Sequence, residues 1–128
     1  MRFSLLVTAG PHRPAAVTAL HTAEAVLRSP HDLYRVFFYG EGVHLANRLA
    51  RRANDERCVQ RDWQRLVEDR AVPAVVCVGA ALRRGITDPA EAARAGLHGD
   101  NIATGFRLAG LGEWVDALKH SERVVHFG

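Results

Sequence analysis

The chain has 128 residues, of which 48% are hydrophobic and 24% charged, and this length and composition are typical of a single globular domain over residues 1–128. Its N-terminal apolar run is too short for a signal peptide or a membrane span, so we expect a cytoplasmic protein. The formal net charge of +3 is only a weak indication of an acidic partner.

Five short runs of apolar and β-branched residues predict five β-strands. In chain order they cover residues 3–8, 32–39, 72–78, 106–108 and 123–127. Segments with helical spacing separate them, and this alternation is typical of an α/β fold with a parallel sheet. The strand at 72–78 is hydrophobic throughout, as a strand covered on both faces would be, so we expect it at the centre of the sheet.

Apolar residues three and four positions apart predict the helices between these strands. In chain order the predicted helices cover residues 16–27, 44–49, 54–69, 89–95 and 111–118. Asp88 precedes Pro89, and an acidic residue before a proline is a common helix start. The last helix is marked by four apolar residues at the spacing of one helical face, namely Leu111, Trp114, Val115 and Leu118.

Several familiar chemistries lack their sequence signals. The turn at Gly40 and Gly42 is followed by Leu45 where a dinucleotide-binding fingerprint needs its third glycine, and no phosphate-loop motif occurs. The G-x-S-x-G motif of a serine hydrolase is also missing. None of the seven histidines has the spacing of a metal site, so we expect no bound metal.

The chain has two cysteines, Cys58 and Cys77, without a C-x-x-C pair that would indicate a zinc site or a disulfide framework. Cys77 lies near the end of the third predicted strand, and the functional crevice of an open α/β sheet lies at the carboxyl ends of its strands. If a helical turn begins at Ala80, its free backbone N–H groups point towards the sulfur and favour the thiolate, which is the reactive form.

The residues that follow Cys77 suit a reactive thiol. Gly79 has no side chain to obstruct the approach of another chain's sulfur. Arg83 and Arg84 could add positive charge near the thiolate or simply cap the end of the helix. From position alone, an inert cysteine in the core remains the alternative, since free cysteine is among the most buried residue types.

A basic cluster precedes the third strand, and its members are Arg48, Arg51, Arg52, Arg57, Arg61 and Arg65. Such a cluster could dock an acidic carrier protein or RNA. Asp55, Glu56 and Asp62 interleave with it, however, so a solvated face with local ion pairs is the simpler interpretation. Cys58 lies in the same charged stretch, where we expect no catalytic role, with a resolving thiol as the alternative.

Four blocks of this sequence resemble the DsrE family of sulfur-relay proteins. They are VFFYxxGV at 36–43, VCVxAAxRRGI at 76–86, FxLxGLG at 106–112 and RVVxF at 123–127, where x marks a position that does not contribute to the resemblance. The resemblance covers nearly the whole chain in order, although Gly79 stands where an alanine is common. It implies a three-layer α/β/α fold around a five-stranded, mainly parallel sheet, and an active cysteine that falls on Cys77.

The resemblance also implies a function for that cysteine. Cys77 would accept sulfane sulfur as a persulfide from a TusA-like carrier, within an environment formed by Gly79, Ala80, Arg83 and Arg84, and pass it to a TusE-like acceptor. TusB-like and TusC-like subunits would complete a heterohexamer, and the sulfur would serve 2-thiolation of the wobble uridine in tRNA. No cofactor, metal, direct nucleic-acid contact or membrane contact is implied. A sulfur-oxidation relay and a scaffold subunit with an idle thiol are the alternatives.

Overall fold

The computed structural model describes the whole chain from Met1 to Gly128, and its strands form one sheet. The strands are β1 (Arg2–Val7), β2 (Asp32–Phe38), β3 (Ala74–Cys77), β4 (Phe106–Ala109) and β5 (Arg123–Phe127). Every neighbouring pair is parallel, in the order β4-β3-β2-β1-β5. The predicted α/β class with five parallel strands is therefore confirmed, but the central strand is β2 and not the predicted strand at 72–78.

Five α-helices and one 3₁₀ helix connect the strands. They are α1 (Pro14–Arg28), the 3₁₀ helix (Gly40–Ala46), α2 (Val59–Arg70), α3 (Val78–Arg83), α4 (Pro89–Arg94) and α5 (Gly112–His120). The helix predicted at 54–69 begins only at Val59, because the residues before Cys58 are exposed and have no apolar face to pack. The helical piece predicted at 44–49 is instead the 3₁₀ helix, which starts at Gly40 and ends at Ala46.

The sheet has helices on both faces, which gives the three-layer arrangement. Successive residues of a strand point to opposite faces. The Phe38 ring meets Trp63 of α2 edge-on at 5.1 Å, whereas the neighbouring Phe37 ring lies 5.9 Å from Trp114 of α5. The buried indole N–H of Trp63 also donates to the carbonyl of Ala16 in α1 at 3.1 Å. Helices α1 and α2 thus share one face, and α5 covers the other.

Helix α5 is attached to its face of the sheet mainly through polar contacts. Arg35 of β2 donates from Nη1 to the Glu113 carbonyl at 2.7 Å and to the Asp116 carboxylate at 2.8 Å. The Tyr34 hydroxyl donates to the same carboxylate at 2.7 Å. These bonds raise the pKa of Tyr34 and lower the pKa of Asp116. An arginine in a central strand is therefore tolerated because α5 supplies its counter-charge.

The outward side of α5 is largely apolar, although no other element of the chain packs on it. Leu111, Val115 and Leu118 are 53%, 48% and 49% exposed, and only Trp114 and Ala117 bring apolar side chains towards the sheet. The apolar residues that predict this helix from the sequence thus lie mostly on its solvent-facing side. None of the helices has both the length and the apolar character needed to cross a bilayer.

Candidate functional site

Cys77 is the last residue of β3 and is almost fully buried, with 6% of its surface exposed. It pairs with Ala109 of β4, and its thiol is free. Alternation along β3 places its side chain on the same face of the sheet as Val75 and Phe37, which is the face that α5 covers. The thiol thus lies at the carboxyl edge of the sheet, on the face that carries α5.

Helix α3 begins directly after this cysteine. Cys77 is its N-cap residue and α3 starts at Val78, two residues before the predicted start at Ala80. The first N–H groups of an α-helix have no partner within the helix. Because the thiol sits at the residue that precedes them, these donors could stabilise a negative charge on the sulfur.

Gly79 and Arg83 lie together on the outer side of α3. A Cβ atom built on Gly79 would be 3.5 Å from Arg83 Nη1, which is an ordinary van der Waals distance. The guanidinium therefore folds back over Gly79, towards the start of the helix and Cys77, as side chains on helices do. No carboxylate of the chain pairs with Arg83, whereas neighbouring Arg84 has one. Arg83 is thus a free cation beside the first turn of α3.

Arg84, by contrast, is engaged in structural contacts. Its Nε atom donates to Glu41 Oε2 at 3.2 Å, and its Nη1 atom donates to the Ala80 carbonyl at 3.1 Å. Glu41 Oε2 also lies 3.0 Å from Nε2 of His44. This network joins the end of α3 to the 3₁₀ helix, and Ala80 itself is 1% exposed and part of the core. Neither Glu41 nor His44 was predicted from the sequence as part of a site. The only sequence feature that sets Glu41 apart is its position between two turn glycines.

The basic cluster is only partly neutralised. Arg57 pairs with Asp62 at 2.8 Å, and the Arg52–Glu56 pair is longer at 3.6 Å. The guanidinium of Arg48 donates to the carbonyl of Asp100. The local ion pairs that the sequence predicts therefore exist for several members of the cluster, which favours a mostly solvated face over a dedicated binding surface.

Cys58 is the N-cap residue of α2 and is half-buried. Its S–H donates to Gln60 Oε1 at 3.5 Å. The two cysteines are thus in different settings: Cys77 ends a strand of the core, and Cys58 follows an exposed loop. No group of three or more histidine, cysteine, aspartate or glutamate side chains is placed to hold a metal ion.

Comparisons with known proteins agree on a single family. The model of the DsrE/DsrF-like family matches residues 1–127. A sulfurtransferase TusD of Enterobacter sp. (strain 638) is 46% identical over 99% of this chain and 100% of its own. A TusD homolog of Pseudomonas aeruginosa and a DsrE of Allochromatium vinosum are each 41% identical over 100% of this chain, and over 98% and 99% of their own lengths.

A solved structure shares the fold at much lower identity. The ychN protein of E. coli superposes with a TM-score of 0.67 over 99% of this chain and 100% of its own, with 14% sequence identity. At that identity the likeness describes the fold alone.

Proposed function

We propose, from the premise that this chain belongs to the DsrE/DsrF-like family and is similar to TusD sulfurtransferases along its whole length, that it carries sulfur as a persulfide on Cys77. One observation carries the proposal. Of the two cysteines, only Cys77 lies at the carboxyl edge of the parallel sheet, at the residue where a helix begins. That is where backbone donors can hold a thiolate ready for attack.

The reaction is a pair of thiol exchanges without a net redox change. The Cys77 thiolate attacks the outer sulfur of a donor persulfide, so that a new S–S bond forms while the donor's S–S bond breaks. The donor's own sulfur leaves with the electron pair as a thiolate. An acceptor thiolate then attacks the outer sulfur on Cys77 in the same way, and Cys77 leaves as a thiolate. The chemistry needs no metal and no organic cofactor.

The surroundings of Cys77 support both steps. Cys77 is 6% exposed as a residue, which limits its contact with stray thiols in solution. The Arg83 guanidinium lies over Gly79 on the outer side of the first turn and has no counter-ion in the chain. A persulfide at Cys77 would carry negative charge in its reactive form, and a free guanidinium nearby would stabilise that charge.

We infer the partners from the relatives. A TusA-like carrier serves as donor and a TusE-like protein as acceptor, within an assembly that includes TusB-like and TusC-like subunits. The apolar outward side of α5, with Leu111, Val115 and Leu118 about half exposed, supports a subunit contact on the face where Cys77 lies. The end use is 2-thiolation of the tRNA wobble uridine. The 41% identity to a DsrE of Allochromatium vinosum favours a sulfur-oxidation relay as the second candidate.

Detection of a persulfide on the chain tests the proposal directly. The purified chain is incubated with a persulfide donor, and its intact mass is measured without reductant. We expect a gain of about 32 Da, the mass of one sulfur atom, in the native chain and in a Cys58→Ser control. The Cys77→Ser variant should gain nothing. Equal uptake by the Cys77→Ser variant would mean that Cys77 is not the carrier, and no uptake by the native chain even in its assembly would favour an idle thiol in a scaffold subunit.

A further inference from the structure

A cavity of about 440 Å³ opens at the carboxyl ends of β1 and β2. Three segments form its walls: the loop after β1 with Arg13, the 3₁₀ helix and the residue that follows it with Glu41 and Asn47, and the first turn of α2 with Gln60. Its volume falls within the range of small-molecule sites. Cys77 is not among the residues that line it, so the sulfur relay leaves this cavity unexplained.

The two amide side chains of the cavity have their acceptor atoms already in use. Asn47 Oδ1 accepts the backbone N–H of Leu49 at 3.0 Å. Gln60 Oε1 accepts the S–H of Cys58 at 3.5 Å. Each amide therefore keeps its NH₂ group, which donates only, for a ligand.

The single carboxylate of the cavity wall is also engaged. Glu41 Oε2 accepts from Arg84 Nε at 3.2 Å and lies 3.0 Å from His44 Nε2. A carboxylate can only accept, so the His44 proton resides on Nε2. Arg84 thus offsets the negative charge of Glu41, although Oε1 of this exposed side chain has no hydrogen-bond partner within the chain.

Arg13 and His12 add further donors to the wall. Arg13 is exposed and pairs with no carboxylate of the chain, and a guanidinium has five donors and no acceptor. Nδ1 of His12 lies 3.4 Å from Nη2 of Arg52, which can only donate. Nδ1 is therefore the acceptor of the His12 ring, and Nε2 carries a proton. The wall thus has N–H donors on four side chains, namely Arg13, His12, Asn47 and Gln60. Two of its acceptor atoms, Glu41 Oε1 and His44 Nδ1, have no partner in the chain, and the donors outnumber them.

We propose that this cavity binds a small organic anion, of metabolite size and bearing a carboxylate or a phosphate, through Arg13, His12 and the amide groups of Asn47 and Gln60. Donors from three segments can surround a planar or tetrahedral oxyanion, and a guanidinium bonds either of these with two parallel N–H groups. The site is separate from Cys77 and does not depend on the sulfur relay.

The test is a titration of the full chain followed by ¹H–¹⁵N spectra at constant ionic strength. The probes are inorganic phosphate, citrate and uncharged glycerol. We expect phosphate, citrate or both to give saturable shifts at Gly10, Arg13, Asn47 and the Gln60 side-chain amide, and glycerol to give none. Which of the two anions binds more tightly assigns a phosphate or a carboxylate headgroup. The Cys77→Ser variant should bind equally well.

Two variants with the same loss of charge separate a built site from general electrostatic attraction. Arg13→Gln should weaken binding by at least about fivefold, because it removes a charge-assisted bond. Arg28→Gln, at the other end of α1 and outside the cavity, should change it by less than about twofold. Equal weakening by both variants, binding of glycerol as tight as that of the anions, or no saturable shift with either anion would overturn the proposal. Native-like spectra of both variants in the absence of ligand establish that they fold.

Discussion

At the scale of single residues, the two adjacent arginines of α3 differ in what they contact. Arg84 is bound to Glu41 and to the Ala80 carbonyl, whereas Arg83 lies over Gly79 with no acidic partner. The sequence alone treats them as equivalent, because consecutive residues on a helix point in directions about 100° apart and only packing decides which of them finds a partner. The structure therefore separates a positioning arginine from a free one.

This difference predicts opposite behaviour for the two glutamine variants. Arg84→Gln should lower the free energy of unfolding by about 1 kcal/mol or less, since the lost ion pair is partly exposed. Arg83→Gln should leave stability unchanged and slow the transfer of sulfur to Cys77. Urea denaturation and time-resolved intact mass measure the two effects. A loss of stability with an unchanged transfer rate for Arg83→Gln would exclude a role for Arg83 at the site.

Gly79 offers a second prediction at this scale. Its added Cβ would stand 3.5 Å from Arg83 Nη1, so an alanine fits without displacing the backbone. Gly79→Ala should therefore keep or raise stability, by up to about 1 kcal/mol, because alanine favours the helix. Gly79→Phe should displace Arg83 and obstruct access to Cys77, with slower sulfur uptake at similar stability. Uptake by the phenylalanine variant at the native rate would show that the relay does not approach over this turn.

At the scale of elements, the sequence predicted each strand to within two residues because apolar β-branched runs are distinctive. It did not identify the central strand. A continuous apolar run indicates only that both faces are covered, and that holds for any interior strand. Strand β2 contains two polar residues, Tyr34 and Arg35, that are not expected in a central strand. Both donate hydrogen bonds to the Asp116 carboxylate. Asp116 lies about 80 positions away along the chain, so the sequence around Tyr34 and Arg35 does not indicate these hydrogen bonds.

The contacts of Asp116 predict how stability depends on pH. Hydrogen bonds from Tyr34 and Arg35 lower the pKa of Asp116 below its ordinary value, and a bond from Arg107 does the same for Glu113. A carboxyl group with a lowered pKa stabilises the folded state above its unfolded pKa, near 4, and this contribution is lost as the pH falls through the folded value. Stability should therefore decline below about pH 4.

The same bonds raise the pKa of Tyr34, so its contribution is present below the unfolded pKa, near 10, and is lost as the pH rises further. Thermal melts of the native chain and of Asp116→Asn across both ranges measure these effects. The variant should show a smaller decline on the acid side than the native chain. Because the ion pair between Arg35 and Asp116 is partly exposed, added salt should reduce the difference in acid stability between the native chain and the variant. Identical acid profiles would contradict a contribution from Asp116.

At the scale of the whole molecule, the two faces of the sheet are covered unequally. Helices α1 and α2, with 15 and 12 residues, lie on one face, and α5, with nine residues, lies on the other. Cys77 belongs to the second face by the alternation of β3, so the candidate site lies on the face that carries the shorter helix. Sequence patterns could predict α5 but not the direction of its apolar side, because amphipathic spacing does not distinguish a face turned to the sheet from one turned to another chain.

The exposed side of α5 gives the last prediction, which concerns assembly. Val115 is 48% exposed in the middle of this apolar side, and Leu97, which is 59% exposed in the segment after α4, is a matched control elsewhere on the surface. When the chain is co-expressed with the TusB-like and TusC-like proteins of the same genome, Val115→Glu should weaken assembly by at least about tenfold, because a buried unpaired carboxylate is costly. Leu97→Glu should assemble like the native chain. Native mass spectrometry of the purified complexes measures both, and unimpaired assembly of Val115→Glu would place the subunit contact on another surface.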